Sequence, residues 1–153
     1  MALNDDILIL STVDLFASFT PEQLRLLAFG VERLVLRAGR ELYQEGQNAD
    51  CGYVVVSGQI SLYRDTQQGR LTVRTVTKGT VLGELAMIAQ SARLTGAIAD
   101  VETEVIRISR SIFHRILEEY PEVAIKLHQQ ISRNLLALID EIERVAPRLA
   151  GQG

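Results

Sequence analysis

Two residues of opposite charge accompany a short glycine-led segment in the middle of the chain. The segment reads Gly83-Glu84-Leu85-Ala86, and Arg93 follows nine residues after Glu84. A guanidinium can bind a phosphate through two parallel hydrogen bonds, and a carboxylate accepts hydrogen bonds from sugar hydroxyls. Leu85–Ala89 favours about one helical turn, whose first backbone amides would add donors for an anion. These residue types together predict a sugar–phosphate site.

Other chemistry is poorly represented in the sequence. The alternative for Glu84 and Arg93 is a surface ion pair, worth about 0–1 kcal/mol. Cys51 has no second cysteine, which favours an inert buried thiol. His114 and His128 fall on helical segments, and residues 31–109 contain no histidine for a metal cluster. We therefore expect no catalytic residues, no metal site and no enzymatic activity.

The distribution of glycine and proline indicates which elements position these residues. Nine of the 11 glycines lie in residues 30–96. No proline occurs between Pro21 and Pro121. Short β-prone runs separated by turn residues predict a sandwich or barrel rather than βαβ units. The predicted strands are Val31–Arg37, Tyr53–Val56, Gln59–Arg64, Leu71–Val76, Thr95–Ala99 and Glu104–Ser109.

Helical segments flank this stretch on both sides. Thr20-Pro21-Glu22-Gln23 predicts a helix start with a capping box, and Gly30 can end that helix. Apolar spacing predicts a helix over Ser111–Tyr120, and Pro121 begins a second one that extends to Val145. The predicted fold class is mainly β with flanking α: a β-barrel or jelly roll with a short N-terminal helix and two C-terminal helices.

Composition excludes several classes of protein. The 153 residues are 47% hydrophobic, which is enough for a core, and their net charge of −3 argues against a nucleic-acid partner. No apolar run approaches the roughly 18–20 residues of a membrane span. The start MALNDDILIL lacks the basic region of a secretion signal. We therefore expect a soluble cytoplasmic protein that contacts no membrane.

The cassette Gly83-Glu84-Leu85-Ala86…Arg93, together with its frame, resembles the cyclic-nucleotide-binding domain family. The frame consists of Gly39, Gly46, Asp50, Tyr53 and Gly58, an N-terminal Asp14-Leu15-Phe16, and Leu117–Pro121 between the helices. The resemblance covers nearly the whole chain and implies one domain over residues 1–153. Its parts are a helical entry (1–30), a barrel (31–109) with a phosphate-binding cassette (82–95), and C-terminal helices (110–146).

The resemblance implies a role for each cassette residue. Glu84 would accept the ribose 2′-hydroxyl, and Arg93 would pair with the phosphate oxygens. The remaining implied binding residues are the backbone groups of Gly83, Leu85, Ala86 and Leu94, with Thr95 beside them. Thr95 is one position beyond the family's usual hydroxyl and is by type a strand residue.

The resemblance also implies where the base lies and what the ligand does. The base would stack between the barrel wall and the last helix, where Leu138 and Ile139 stand in place of polar contacts. Leu94 replaces the hydroxyl that can favour guanine, so we expect cAMP rather than cGMP. The expected function is a sensor whose C-terminal helix is repositioned by the nucleotide.

Two alternatives remain open at the level of sequence. The chain could be a ligand-unresponsive interaction module with the same fold, or a regulatory domain excised from a channel, kinase or transporter. The initial Met and the trailing Gly-Gln-Gly favour a complete chain. Neither alternative identifies the downstream protein partner.

The last helix predicts a further interaction. Apolar residues recur along it at intervals of 4, 3, 4 and 3, namely Ile131, Leu135, Leu138, Ile142 and Val145. This spacing is typical of a coiled coil and predicts a homodimer through helix 121–145, with packing on the chain's own barrel as the alternative. We expect no DNA partner, since no helix-turn-helix follows Val145 in the sequence.

Overall fold

The N-terminal segment is more helical than the sequence predicts. In the computed structural model, which describes residues 2–145, α1 (Ala2–Ser11) and α2 (Pro21–Phe29) flank a 3-10 turn at Asp14–Phe16. The capping box of α2 is present as predicted: the Thr20 hydroxyl accepts from the Gln23 amide at 3.2 Å. The sequence analysis missed α1 because it lacks such a cap and depends on packing, with Leu10 fully buried.

Short antiparallel strands form the middle of the chain, which confirms the predicted jelly-roll class. The strands are β1 (Val31–Leu36), β2 (Glu41–Tyr43), β3 (Asn48–Ala49), β4 (Cys51–Ser57), β5 (Ile60–Thr66), β6 (Gly69–Val76), β7 (Val81–Leu82), β8 (Ser91–Ala92), β9 (Gly96–Ala99) and β10 (Thr103–Ser109). One sheet has the order β1-β10-β4-β7 and the other β2-β9-β5-β6, and β3 pairs with β8. The sequence analysis missed β2, β3, β7 and β8, since two or three residues are too few for a period to show.

Two helices follow the strands, as predicted. α3 (Arg110–Glu119) starts one residue before the predicted position, and the Ser109 hydroxyl accepts from the Ile112 amide at 3.3 Å. α4 (Pro121–Val145) begins at the predicted proline. The last position of the predicted helical segment, residue 146, lies outside the described residues.

The apolar residues form two clusters, and α4 reaches both. The first lies among the helices and includes Phe16, Phe113 and Leu127. The second fills the space between the sheets and includes Tyr43 and Tyr53, with Leu138 of α4 packed against it. The last helix is therefore docked on the helical layer along its first half and reaches the barrel interior further along.

The turn between β4 and β5 requires glycine for two reasons. Gly58 has φ of +93°, and a Cβ there would lie 2.6 Å from the Glu102 carbonyl oxygen. Gly69, at the start of β6, has φ of +106° but open space around it. Comparing the two positions therefore separates the cost of a positive φ from the cost of a steric clash.

We expect Gly58→Ala to destabilise the protein more than Gly69→Ala. Left-handed strain alone costs about 1–2 kcal/mol, and only Gly58 adds a clash that forces the backbone to shift. Urea unfolding of both variants measures the difference in the free energy of unfolding. Equal losses in the free energy of unfolding would show that the residues around Gly58 can move to accommodate a Cβ.

Candidate functional site

A cavity of about 310 Å³ lies between the strands and α4, and the predicted cassette forms one side of it. Most of the predicted site residues line this cavity. They are Gly83, Glu84, Leu85, Ala86, Arg93, Leu94, Thr95 and Leu138. Ile139, the second predicted lid residue, is not among the lining residues. The structure thus brings the cassette and one of the two predicted lid residues to the same space.

The predicted helical turn is present as a 3-10 segment, Glu84–Met87, which follows β7. Gly83 precedes it with φ of +66°. The Ala86 amide donates to the Gly83 carbonyl oxygen at 3.1 Å. This amide is used within the turn, so it differs from the free anion donor expected at a helix start. The difference arises because a 3-10 turn closes its first hydrogen bond one residue earlier than an α-helix does.

Arg93 is buried without an acidic partner. The whole residue is only 7% exposed. Nη2 donates to the Cys51 carbonyl oxygen at 2.9 Å, while Nε and Nη1 have no hydrogen-bond partner among the described residues. A Cβ at position 83 would collide with Nη1. The guanidinium therefore depends on glycine at that position, and two of its nitrogens are buried without a hydrogen-bond partner among the described residues.

Two tyrosines lie beneath the Arg93 guanidinium. Its carbon Cζ is 4.2 Å from the ring centroid of Tyr43 and 5.7 Å from that of Tyr53. The two rings stack with centroids 6.1 Å apart. Sequence reasoning missed Tyr43 as a site residue because β2 and the cassette are distant in the chain.

Glu84 faces the last helix. Asn134 Nδ2 donates to its Oε2 at 2.8 Å, and Gln130 Nε2 donates to Asn134 Oδ1 at 2.9 Å, which fixes the orientation of the Asn134 amide. Burial raises the pKa of the Glu84 carboxyl, although its own backbone amide, Asn134 and Arg74 favour the ionised form. The predicted ribose acceptor is thus a partly desolvated carboxylate in contact with α4.

A second polar contact joins α4 to the strands at the same cavity. Arg74, on β6, pairs with Glu141 of α4, with Nε 2.7 Å from Oε1. Arg74 also lines the cavity. No local sequence pattern predicts this ion pair or the contact of Asn134 with Glu84, because each depends on where α4 docks.

Arg110 connects the cassette to the helical layer. Its Nε donates to the Ala86 carbonyl oxygen at 2.9 Å, and its Nη2 donates to the carbonyl oxygen of Ala49. Arg110 is the first residue of α3. The end of the 3-10 turn is therefore tied directly to the start of that helix.

The other chemically interesting residues do not form a second site. Cys51 is buried, with its Sγ 3.5 Å from Nη2 of Arg93, and His114 is an exposed partner of Glu118. Within residues 2–145, no group of acidic, cysteine and histidine side chains could hold a metal ion. The same part of the chain has no helix with the length and apolarity needed to cross a bilayer.

Comparisons with known proteins agree with this geometry. The family model described as cyclic nucleotide-binding domain matches residues 33–120. A cyclic nucleotide-binding-like protein from Brucella abortus is 71% identical, with 74% of this chain and 98% of that chain covered and a TM-score of 0.68. The regulatory domain of Toxoplasma gondii PKA with cAMP shares the fold at 23% identity and a TM-score of 0.70, over 74% of this chain and 44% of that one.

The chain is also similar to a segment of much longer proteins. Lysophospholipase nte1 from Neurospora crassa is 28% identical over 91% of this chain, which covers 9% of that protein. The chain thus spans about a tenth of the length of the curated relatives it matches.

We expect Glu84→Gln to stabilise the protein at neutral pH. Because burial raises the pKa of Glu84 in the folded state, the folded protein binds more protons than the unfolded chain above the ordinary glutamate pKa. Stability therefore falls as pH rises through that window, and glutamine avoids the loss while still accepting from Asn134. Urea unfolding at pH 7 and pH 3.5 should show a gain only at pH 7.

Glu102→Gln is the control, since Glu102 is exposed. Its stability should follow the wild type at both pH values. If Glu84→Gln is less stable than the wild type at pH 7, the charge of Glu84 is well compensated in the folded protein.

Proposed function

The chain belongs to the cyclic nucleotide-binding domain family, and from that premise we propose that it is a sensor for a cyclic nucleotide. The observation that carries the proposal is the buried Arg93 guanidinium, whose Nε and Nη1 lack partners among the described residues. Leaving such donors unpaired costs about 1–3 kcal/mol or more for a charged group. A phosphate in the cavity would supply the negative charge that Arg93 lacks among the described residues.

Glu84 supplies the complementary end of the proposed site. A carboxylate has two oxygens, and Asn134 occupies only Oε2 from its side. A ribose hydroxyl is a donor that can share or replace that contact. Glu84 and Arg93 line the same cavity, so a single ligand with a ribose and a phosphate fits their chemistry.

We propose that the ligand is cAMP in preference to cGMP. Leu94 and Leu138 line the cavity with apolar side chains. Neither offers a hydrogen bond to the exocyclic amino group of guanine, so discrimination would favour the less polar base. Leu138 is the proposed base lid, and Ile139 would join it only after α4 moves, because it lies outside the cavity lining.

The proposed response is a shift of α4. Asn134 donates a hydrogen bond to Glu84, and Glu141 accepts one from Arg74. These two polar contacts of α4 therefore lie at the proposed ligand site. A ligand shifts a conformational equilibrium only if it interacts differently with the two states. A ribose that competes with Asn134 for Glu84 provides such a difference.

A homodimer through helix 121–145 is also part of the proposal, with its contact on the outer face of α4. Ile131 and Ile142, members of the predicted 4-3 spacing, are buried within the chain itself. Ile125 and Leu136 are 67% and 66% exposed on the same helix and lie three turns apart. The outer face is therefore the part of α4 that a second copy could cover.

We propose that the domain senses rather than catalyses. The similarity to Lysophospholipase nte1 concerns a segment that is 9% of that protein. It supports a regulatory module of the kind that larger proteins contain. We assign no lipase activity to these 153 residues. A cytoplasmic location is part of the same proposal, because the ligand is intracellular.

We expect Arg93→Gln to weaken cAMP binding by about 30-fold to several thousand-fold, since removing one partner of a buried charge pair costs about 2–5 kcal/mol. Isothermal titration with cAMP and with cGMP measures the loss and the preference. Arg70→Gln is the matched control, because Arg70 also stacks on a tyrosine, Tyr63, but lies exposed outside the cavity. A wild-type protein that binds neither nucleotide would contradict the sensor and favour an interaction module.

Two variants of α4 separate the helix response from dimerisation. Asn134→Ala removes the contact with Glu84, so we expect α4 to exchange its backbone hydrogens faster without ligand and to respond less when cAMP is added. Leu136→Asp, two residues away, should leave cAMP affinity within about twofold but give a monomeric mass, because it places a charge on an apolar contact. Hydrogen exchange and light scattering are the measurements.

The opposite results are equally informative. If cAMP leaves exchange along α4 unchanged in the wild type, the helix does not report ligand binding. If the wild-type protein is monomeric with and without cAMP, the outer face of α4 does not join two copies.

A further inference from the structure

We propose that Tyr43 is a positioning residue for the anion site: its ring holds the Arg93 guanidinium beside the cavity without neutralising its charge. This inference rests on the proposed function. Arg93 Cζ lies 4.2 Å from the Tyr43 ring centroid, and Tyr43 itself is buried and lines the cavity. No family motif quoted above includes this residue.

A buried arginine normally has an acidic partner, because removing a charge from water without compensation is costly. Among the described residues, Arg93 forms no ion pair and donates only to Cys51 from its side chain. A carboxylate partner would neutralise the charge and occupy the donors that a ligand needs. The site must therefore stabilise a cation while leaving its in-plane hydrogens free.

An aromatic ring meets both conditions. It attracts a guanidinium through the negative face of its π-system, and it contacts the flat face of the cation, whereas all the donors lie in the plane. Tyr53 packs beside Tyr43, with the ring centroids 6.1 Å apart, and limits movement of the ring. The Cys51 carbonyl oxygen accepts from Nη2 without adding a full negative charge, so the positive charge of the guanidinium remains for the anion.

Tyr43 is suited to this role as a neutral ring. Burial raises its pKa to about 12. The ring thus stays uncharged across the physiological range and does not compete with the ligand as an anion.

The test compares Tyr43→Phe, which keeps the ring, with Tyr43→Met, which removes it but fills much of its volume. We expect Tyr43→Met to weaken cAMP binding by about 10- to 30-fold, the effect of a desolvated cation–π contact. Tyr43→Phe should remain within about threefold of the wild type. Tyr43→Leu is a second ringless variant if Tyr43→Met does not fold, as judged by circular dichroism.

Adenosine provides the readout that distinguishes positioning from general packing. It contains the base and ribose but no phosphate, so its affinity should fall by less than about threefold in Tyr43→Met. Tyr63→Leu is the control, because it removes a ring contacted by Arg70 at 3.7 Å outside the cavity; its cAMP affinity should match the wild type.

The possible results separate this inference from the function on which it rests. A wild type that binds no cyclic nucleotide overturns both. Wild-type binding with equal losses for cAMP and adenosine in Tyr43→Met, or with no loss at all, overturns the role of Tyr43 alone. A loss confined to cAMP, with Tyr43→Phe unaffected, supports it.

Discussion

The buried charge of Arg93 is the constraint on which the architecture of the cavity depends. An ionised group leaves water only if other groups replace its hydration, and here those groups come from separate elements. β4 supplies the Cys51 carbonyl, β2 supplies the Tyr43 ring, and Gly83 supplies the space. The jelly roll brings β2 and β4 together, so the charged site is a consequence of strand topology as much as of the cassette sequence. A cation held in this way is strongly attractive to an anion because no acidic side chain among the described residues neutralises it.

The last helix makes both apolar and polar contacts, and these favour different residue types. Its buried residues, Val123, Leu127 and Ile131, anchor it to the helical layer, and Ile142 is buried further along. Between these anchors, Asn134 contacts the carboxylate of Glu84 across the cavity. Apolar burial stabilises the helix by an amount that a single hydrogen bond cannot match. The helix is therefore held mainly by its apolar anchors, and its polar contacts with Glu84 and Arg74 lie at the cavity.

Local signals in the sequence predicted much of this protein, and long-range contacts account for what was missed. The capping box at Thr20, the proline that begins α4 and the glycine of the cassette each act within a few residues, so the sequence displays them directly. The cassette residues that line the cavity were predicted for the same reason. Tyr43 and Asn134 lie 50 residues from Arg93 and Glu84, respectively, and only the packing of β2 and α4 reveals them. α1 and the shortest strands were missed because tertiary contacts, rather than periodicity, stabilise them.

The contacts of Arg110 have a consequence for how this domain could diversify. Its guanidinium hydrogen-bonds the carbonyl oxygens of Ala86 and Ala49, which are backbone atoms. Backbone carbonyls are present whatever side chains surround them, so the join between cassette and α3 tolerates sequence drift on the cassette side. The connection between the 3-10 turn and α3 therefore depends on the path of the backbone rather than on the side chains of the cassette.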